Sequence, residues 1–157
     1  MKNGAAEKEF NALRAYLTPL LGEYMAAKYV DLERLRAAAY AGRSQEVTAG
    51  WQQLGGQFRP DIALEGGRAY LELGALAEGE QHLRFALEAY WMWNPFLVAP
   101  HFLMYALTQF YLGKILEQTG KKAEALKAYQ EFLCRFENST AKLPQIAEVR
   151  AAVKRLM

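Results

Sequence analysis

The sequence predicts an all-α protein of about eight helices. Apolar residues recur at intervals of three and four positions, as in Leu83, Ala86, Leu87 and Tyr90, which is the spacing of one face of a helix. Strong helix formers (Ala, Leu, Glu, Lys, Gln and Arg) fill most of the chain between its prolines and glycines. A strand would alternate apolar and polar residues, and the sequence has no sustained alternation and no Asn-Gly or Asp-Gly turn between apolar runs.

Prolines and glycines indicate where these helices begin and end. Thr18 precedes Pro19, which suits an N-cap followed by proline at the first helical position, and Pro144 opens the last helix in the same way. Glycines close helices by adopting a left-handed conformation, and they predict short turns after residues 42, 74 and 120. The expected helices, with boundaries good to about three residues, span 5–17, 19–41, 44–57, 61–73, 76–93, 99–119, 121–136 and 144–156.

The composition is that of a folded protein without a strong charge. Of the 157 residues, 52% are apolar and 23% are charged, which argues against disorder. The net charge is +2 and no dense Lys/Arg tract occurs, so nucleic acid is not an expected partner.

The sequence contains no apolar run of about 18 residues, so no membrane span is predicted. The N-terminus does not resemble a signal peptide, and the only cysteine, Cys134, excludes an internal disulfide. A soluble cytoplasmic protein, or a soluble fragment of a larger protein, is therefore expected. The Phe132-Leu133-Cys134 run predicts that this cysteine is buried as a small hydrophobe.

The hairpin at residues 109–132 resembles a tetratricopeptide repeat. Its Leu112-Gly113 pair, Ala125 and Tyr129 fall where that family has Leu-Gly, alanine and an aromatic residue. Three positions depart from the family pattern: Gln109, Leu116 and Phe132. Weaker matches precede this hairpin, and 32 residues separate the turn glycines at 42 and 74, close to the family period of about 34.

The resemblance implies antiparallel helix hairpins that stack as a short right-handed α-solenoid in one domain over residues 1–157. The three repeat-like units would span about 28–60, 61–95 and 98–137, and the helix at 144–156 would cap the end. A small residue at each crossing would let the two helices of a hairpin approach closely. Gly67 and Gly113 occupy that position in the second and third units, whereas Leu35 occupies it in the first.

The resemblance also implies a concave face lined by the first helix of each hairpin. The residues that follow the crossing positions are Arg36, Arg68 and Lys114, and all three are basic. The other candidates for peptide or partner binding are Tyr40, Leu64, Phe110 and Glu117. A basic row flanked by apolar side chains would hold a protein segment that is acidic or ends in a free carboxylate. The alternative is a solvated helix face on which Glu72 and Glu117 are the one-turn partners of Arg68 and Lys114.

An aromatic cluster at Trp91, Trp93 and Phe96 is a second candidate surface. Exposed aromatic rings at a helix tip would form a hydrophobic contact patch for a partner or for self-association into a homo-oligomer. The alternative is that these rings are buried in the core. Trp91 and Trp93 are two positions apart, so both cannot face one core stripe of a helix.

Catalytic and metal-binding constellations are missing from the sequence. His82 and His101 lie on different predicted helices, and no HExxH motif, paired cysteines or phosphate-binding glycine loop occurs. We therefore expect no enzyme activity, no cofactor and no metal. The predicted function is a non-catalytic protein–protein interaction module that binds a peptide or partner protein in a concave groove. The alternatives are a self-associating structural or assembly protein and a ligand-sensing regulatory domain.

Overall fold

The protein is described by a computed structural model that covers residues 3–54, 60–92, 98–136 and 143–157. Eight helices account for nearly all of these residues, and no strand occurs among them, which confirms the all-α prediction. The helices are α1 (Asn3–Leu21), α2 (Glu23–Tyr40), α3 (Ser44–Leu54), α4 (Pro60–Leu73), α5 (Leu76–Met92), α6 (Val98–Gln118), α7 (Lys122–Cys134) and α8 (Pro144–Leu156).

The chain divides into two compact units. The first spans Met1–Gly55 and holds α1 to α3, in which α2 packs against both of its neighbours. The second spans Gly56–Met157 and holds α4 to α8. In the second unit each helix packs against the next one along the chain, and α4 also contacts α6. The single repeat domain over residues 1–157 stays a prediction.

The predicted break at Thr18 and Pro19 is wrong, because α1 continues through Pro19 to Leu21. Proline lacks a backbone N–H, so Pro19 cannot bond the carbonyl one turn earlier. The neighbouring Thr18 hydroxyl donates to the carbonyl of Arg14 at 2.8 Å, a bond that threonine often makes within a helix. The helix ends at Gly22, whose φ of 78° reverses the chain before α2. From α4 onward, every helix begins and ends within two residues of its predicted bounds.

The three predicted turn glycines, Gly42, Gly74 and Gly120, all have left-handed backbones, with φ between 70° and 77°. After each glycine, the N–H of the next residue bonds a carbonyl five positions back, at 2.8–2.9 Å. The donor and acceptor residues are Arg43 and Ala38, Ala75 and Tyr70, and Lys121 and Leu116. This is the Schellman arrangement, which satisfies carbonyls at a helix end and turns the chain sharply. The repeated turn therefore makes hairpins of α2 with α3, α4 with α5 and α6 with α7.

Glycines also lie where the helices of each hairpin cross. A Cβ atom added to Gly113 would lie 2.5 Å from the Tyr129 ring, and one added to Gly67 would lie 2.4 Å from Leu83. The first hairpin reverses the arrangement, since a Cβ on Gly50 of α3 would lie 2.6 Å from Leu35 of α2. The large residue at position 35 is therefore accommodated by a glycine on the opposite helix.

The core of the second unit extends from α4 to α8. Leu83, Ile115 and Phe132 are fully buried at its centre. The last helix joins this core through Ile146, Val149 and Ala152, which are spaced three apart and face α7.

An ion-pair network joins α5 to the turn between α6 and α7. Glu80 accepts hydrogen bonds from Lys121 and from Arg84, each at 2.9 Å. Arg84 also donates to Glu124 of α7 at 2.5 Å. Burial opposes ionisation of Glu80, but the bonds from Lys121 and Arg84 outweigh that effect and hold its pKa below the usual value.

Cys134 is exposed, so the prediction of a buried thiol is wrong. Phe132 and Phe136 are four positions apart and both face the core. Cys134, the last residue of α7, lies two positions after Phe132 and therefore points away from the core side of that helix, which places the thiol in solvent.

Candidate functional site

The predicted basic row is divided between the two units. Arg36 lies on α2 of the first unit, and its guanidinium pairs with Glu33 at 2.7 Å. Tyr40 is one turn further along α2 and is well exposed. Arg68 on α4 and Lys114 on α6 both belong to the second unit, so the surroundings of these two cations can be described together.

Arg68 is held between α4 and α6. Its guanidinium carbon lies 5.0 Å from the centre of the Tyr111 ring, within range of a cation–π contact. Its Nη1 atom donates to both carboxylate oxygens of Glu65, at 2.9 and 3.0 Å. The Arg68 and Glu65 side chains are each only about a quarter exposed, so this cation is fixed by a ring and a carboxylate together.

Lys114 lies on the same face as Tyr111, three residues further along α6. Its ammonium is 2.9 Å from a carboxylate oxygen of Glu148 on α8 and 5.3 Å from the centre of the Phe110 ring. We refer to the surface formed by Arg68, Tyr111 and Lys114 as the α4–α6 face.

Glu117 continues this face by one further turn and is engaged by two other helices. It accepts hydrogen bonds from Arg155 of α8 at 2.6 and 2.9 Å, and from the Tyr129 hydroxyl of α7 at 3.0 Å. Burial, together with the negative charge and hydrogen bond of Glu117, raises the pKa of Tyr129 well above its usual value. Glu117 therefore joins α6, α7 and α8.

Two of the predicted binding residues lie in the core. Leu64 and Phe110 are 4% and 3% exposed, and both pack within the second unit. A side chain buried to this extent does not meet a partner arriving from solvent. Both side chains belong to the hydrophobic core of the second unit.

The charge partners of Arg68 and Lys114 are not the acidic residues predicted one turn later on the same helices, although Glu65 lies one turn before Arg68. Arg68 pairs with Glu65 and Lys114 pairs with Glu148, in place of Glu72 and Glu117. Each cation of the face thus has an acidic neighbour, and the face is close to neutral overall.

Two contributors to the face were missed at the sequence level. Tyr111 is three positions before Lys114, so a helical projection of α6 could have identified it. Glu148 lies on α8, and no local spacing connects it with α6. The predicted patch at Trp93 and Phe96 lies outside the described residues, as does the side chain of Trp91, and stays a prediction.

In the described ranges, no three His, Cys, Asp or Glu residues are grouped closely enough to hold a metal ion. The Nδ1 atom of His82 is 2.8 Å from the Glu78 carbonyl, and burial lowers the pKa of this histidine. None of the helices within 3–54, 60–92, 98–136 and 143–157 is both long and apolar enough to cross a membrane.

No family model, curated protein or solved structure matches this chain.

Proposed function

We propose that this chain is a non-catalytic, tetratricopeptide-like interaction module whose α4–α6 face binds a protein segment bearing a carboxylate. The observation that carries the proposal is the stacking of Arg68 on Tyr111, with Lys114 one turn along the same surface. Arginine and tyrosine are enriched at binding hot spots, because both offer a large contact area and hydrogen bonds. The partner is expected to be acidic or to end in a free carboxylate.

The two cations are positioned before a partner arrives. Ring contacts and carboxylates already restrict Arg68 and Lys114, so binding costs less side-chain entropy than it would for mobile cations. Partly exposed ion pairs contribute only about 0–1 kcal/mol each. An incoming carboxylate can therefore replace Glu65 or Glu148 at a small energetic cost while the rings keep the cations in place.

The tetratricopeptide-like part of the proposal is supported by the three hairpins. They share one turn geometry, and each has a glycine at its helix crossing. Stacking as a right-handed solenoid, with α8 as a cap, is part of the same proposal. A cytoplasmic location is also proposed, because a lone free cysteine suits a reducing compartment.

Affinity capture from the native host tests the proposal. The wild-type chain and an Arg68→Glu/Lys114→Glu variant serve as parallel baits, and bound proteins are compared quantitatively. A Lys122→Glu/Lys154→Glu variant is the matched control, because both of its lysines are exposed and lie outside the face. A partner lost only with the Arg68/Lys114 variant supports the proposal, and identical capture by all three baits contradicts it.

A second candidate function, self-association, is favoured by exposed apolar side chains in the first unit. Tyr16 and Leu20 of α1 are 69% and 64% exposed, and Tyr24 at the start of α2 is 71% exposed. Burial of such groups between two copies would be favourable. Light scattering tests this: a dimer that dissociates in a Leu20→Ser/Tyr24→Ser variant supports self-association, and a monomer at high concentration contradicts it.

A further inference from the structure

A cavity of about 370 Å³ lies between α5, α6 and α7 in the second unit. The apolar part of its wall includes Leu87 of α5 and Tyr105 of α6, which are partly exposed, and Leu112, Leu116 and Ala128, which are buried. It shares no residue with the α4–α6 face. Its volume falls in the range of about 300–1,000 Å³ that is typical of small-molecule sites.

A buried amide gives this apolar wall a polar group. Gln109 is 8% exposed, and its Nε2 atom donates to the Tyr105 hydroxyl at 3.2 Å. Both residues line the cavity. An amide can both donate and accept hydrogen bonds, so Gln109 can help to orient a ligand that enters.

Two oppositely charged side chains, Lys127 and Glu131, lie at the rim of the cavity. Lys127 and Glu131 line the cavity from α7 and are one helical turn apart, so they lie on one face of that helix. Neither forms an ion pair with another residue in the part of the chain that the structure describes. Arg84 and Glu124, which also line the cavity, are by contrast paired with each other.

We propose that this cavity binds a free α-amino acid with an aliphatic or aromatic side chain. The Lys127 ammonium pairs with the ligand carboxylate, and the Glu131 carboxylate pairs with the ligand ammonium. The ligand side chain packs on Leu87 and Tyr105, the partly exposed apolar side chains of the lining. The two opposite charges beside an apolar wall distinguish such a zwitterion from a fatty acid, which lacks the ammonium, and from an amine, which lacks the carboxylate. This site is independent of the peptide-binding proposal.

Titration of the full chain with L-leucine, L-phenylalanine and L-tryptophan tests the inference. Backbone NMR chemical shifts and melting temperature are followed, since a ligand that binds the native state raises its stability. We expect saturable shifts at residues of α6 and α7 around the cavity with at least one amino acid. The matched N-acetyl amides lack both charges and should bind about tenfold or more weakly.

Variants locate the binding site without disturbing the fold. Lys127→Gln and Glu131→Gln change exposed or partly exposed side chains, and each should weaken binding about tenfold. Lys122→Gln is the control on the same helix, outside the cavity, and should bind like the wild type. The inference is overturned if no amino acid gives a saturable shift, if the N-acetyl amides bind equally well, or if neither rim variant weakens binding.

Discussion

A methyl group at residue 113 would collide with a ring that cannot move away. The Cβ of an alanine there would lie 2.5 Å from Tyr129, whose ring is almost fully buried. Overpacking of this kind costs about 1–3 kcal/mol, so we expect Gly113→Ala to lower the free energy of unfolding by that amount. The urea midpoint of unfolding should shift to a lower concentration accordingly. Tyr129→Leu in the Gly113→Ala background should recover part of the loss. Strictly additive effects of the two substitutions would contradict the close contact.

Tyr129 makes the free energy of unfolding depend on pH in the alkaline range. Its pKa is raised in the folded state, so the unfolded chain, with a tyrosine pKa of about 10, releases the proton first. The stabilisation is complete below pH 10 and is lost as pH rises beyond it. Tyr129→Phe should therefore flatten the fall in unfolding free energy above about pH 10, and cost about 1 kcal/mol at neutral pH through the lost bond to Glu117. Parallel curves for the two proteins would show that the tyrosine is not responsible.

Individual residues differ in how far their contacts can be read from sequence. The close approach at Gly113 was predictable, because a glycine at a helix crossing has few other uses within a helix. The pairing of Arg68 with Glu65 was also within reach, because Glu65 lies three positions earlier on α4. The partner of Lys114 was not, since helical spacing identifies neighbours only on the same helix. Glu148 reaches Lys114 because α8 packs on the preceding hairpin, and that packing depends on the whole second unit.

Among the helices, the Glu80 network provides a test of how neighbouring hairpins are joined. The folded state lowers the pKa of Glu80, so its contribution is present above the unfolded pKa of about 4.3 and is lost as pH falls below it. Glu80→Gln should cost roughly 1 kcal/mol at neutral pH and reduce the loss of stability on acidification. Urea unfolding at pH 7 and pH 3 measures both effects. Glu88→Gln, an exposed position on the same helix, is the control. Equal effects of the two substitutions would contradict a specific role for Glu80.

The glycines predicted the ends of the helices more accurately than the prolines did. All three glycine turns were expected, because a left-handed residue after a helix strongly favours glycine. Thr18 and Pro19 were misleading, since a proline near the end of a helix removes only one hydrogen bond and does not have to end it. The chain reverses a few residues later at Gly22, where the backbone is free to adopt positive φ.

For the molecule as a whole, the second unit should fold without the first. Residues from α4 to α8 supply a continuous buried core that includes Leu83, Ile115, Phe132 and Val149. We expect a fragment of residues 56–157 to give a helical circular dichroism spectrum and a single cooperative urea transition. A fragment that loses helicity or unfolds without cooperativity would contradict the independence of this unit.

The class of the whole molecule followed from sequence, whereas its binding chemistry did not. Helical periodicity alone predicted an all-α chain. The basic row suggested a cationic groove, but Glu65 of the same helix balances Arg68, and Glu148 of α8 balances Lys114. The cavity at Gln109 was also beyond prediction, because residues of three helices line it and no single segment carries its pattern.

The affinity of a captured partner segment for the α4–α6 face tests the central claim most directly. The segment is synthesised with a fluorescent label, and its dissociation constant is measured by anisotropy for the wild type, Arg68→Glu/Lys114→Glu and Lys122→Glu/Lys154→Glu. Both doubles change the net charge equally, so a general electrostatic effect would weaken them alike. We expect the Arg68/Lys114 double to bind more than about tenfold more weakly, through loss of two charge-assisted contacts, while the control stays close to wild type. Equal dissociation constants for the two doubles would contradict the claim.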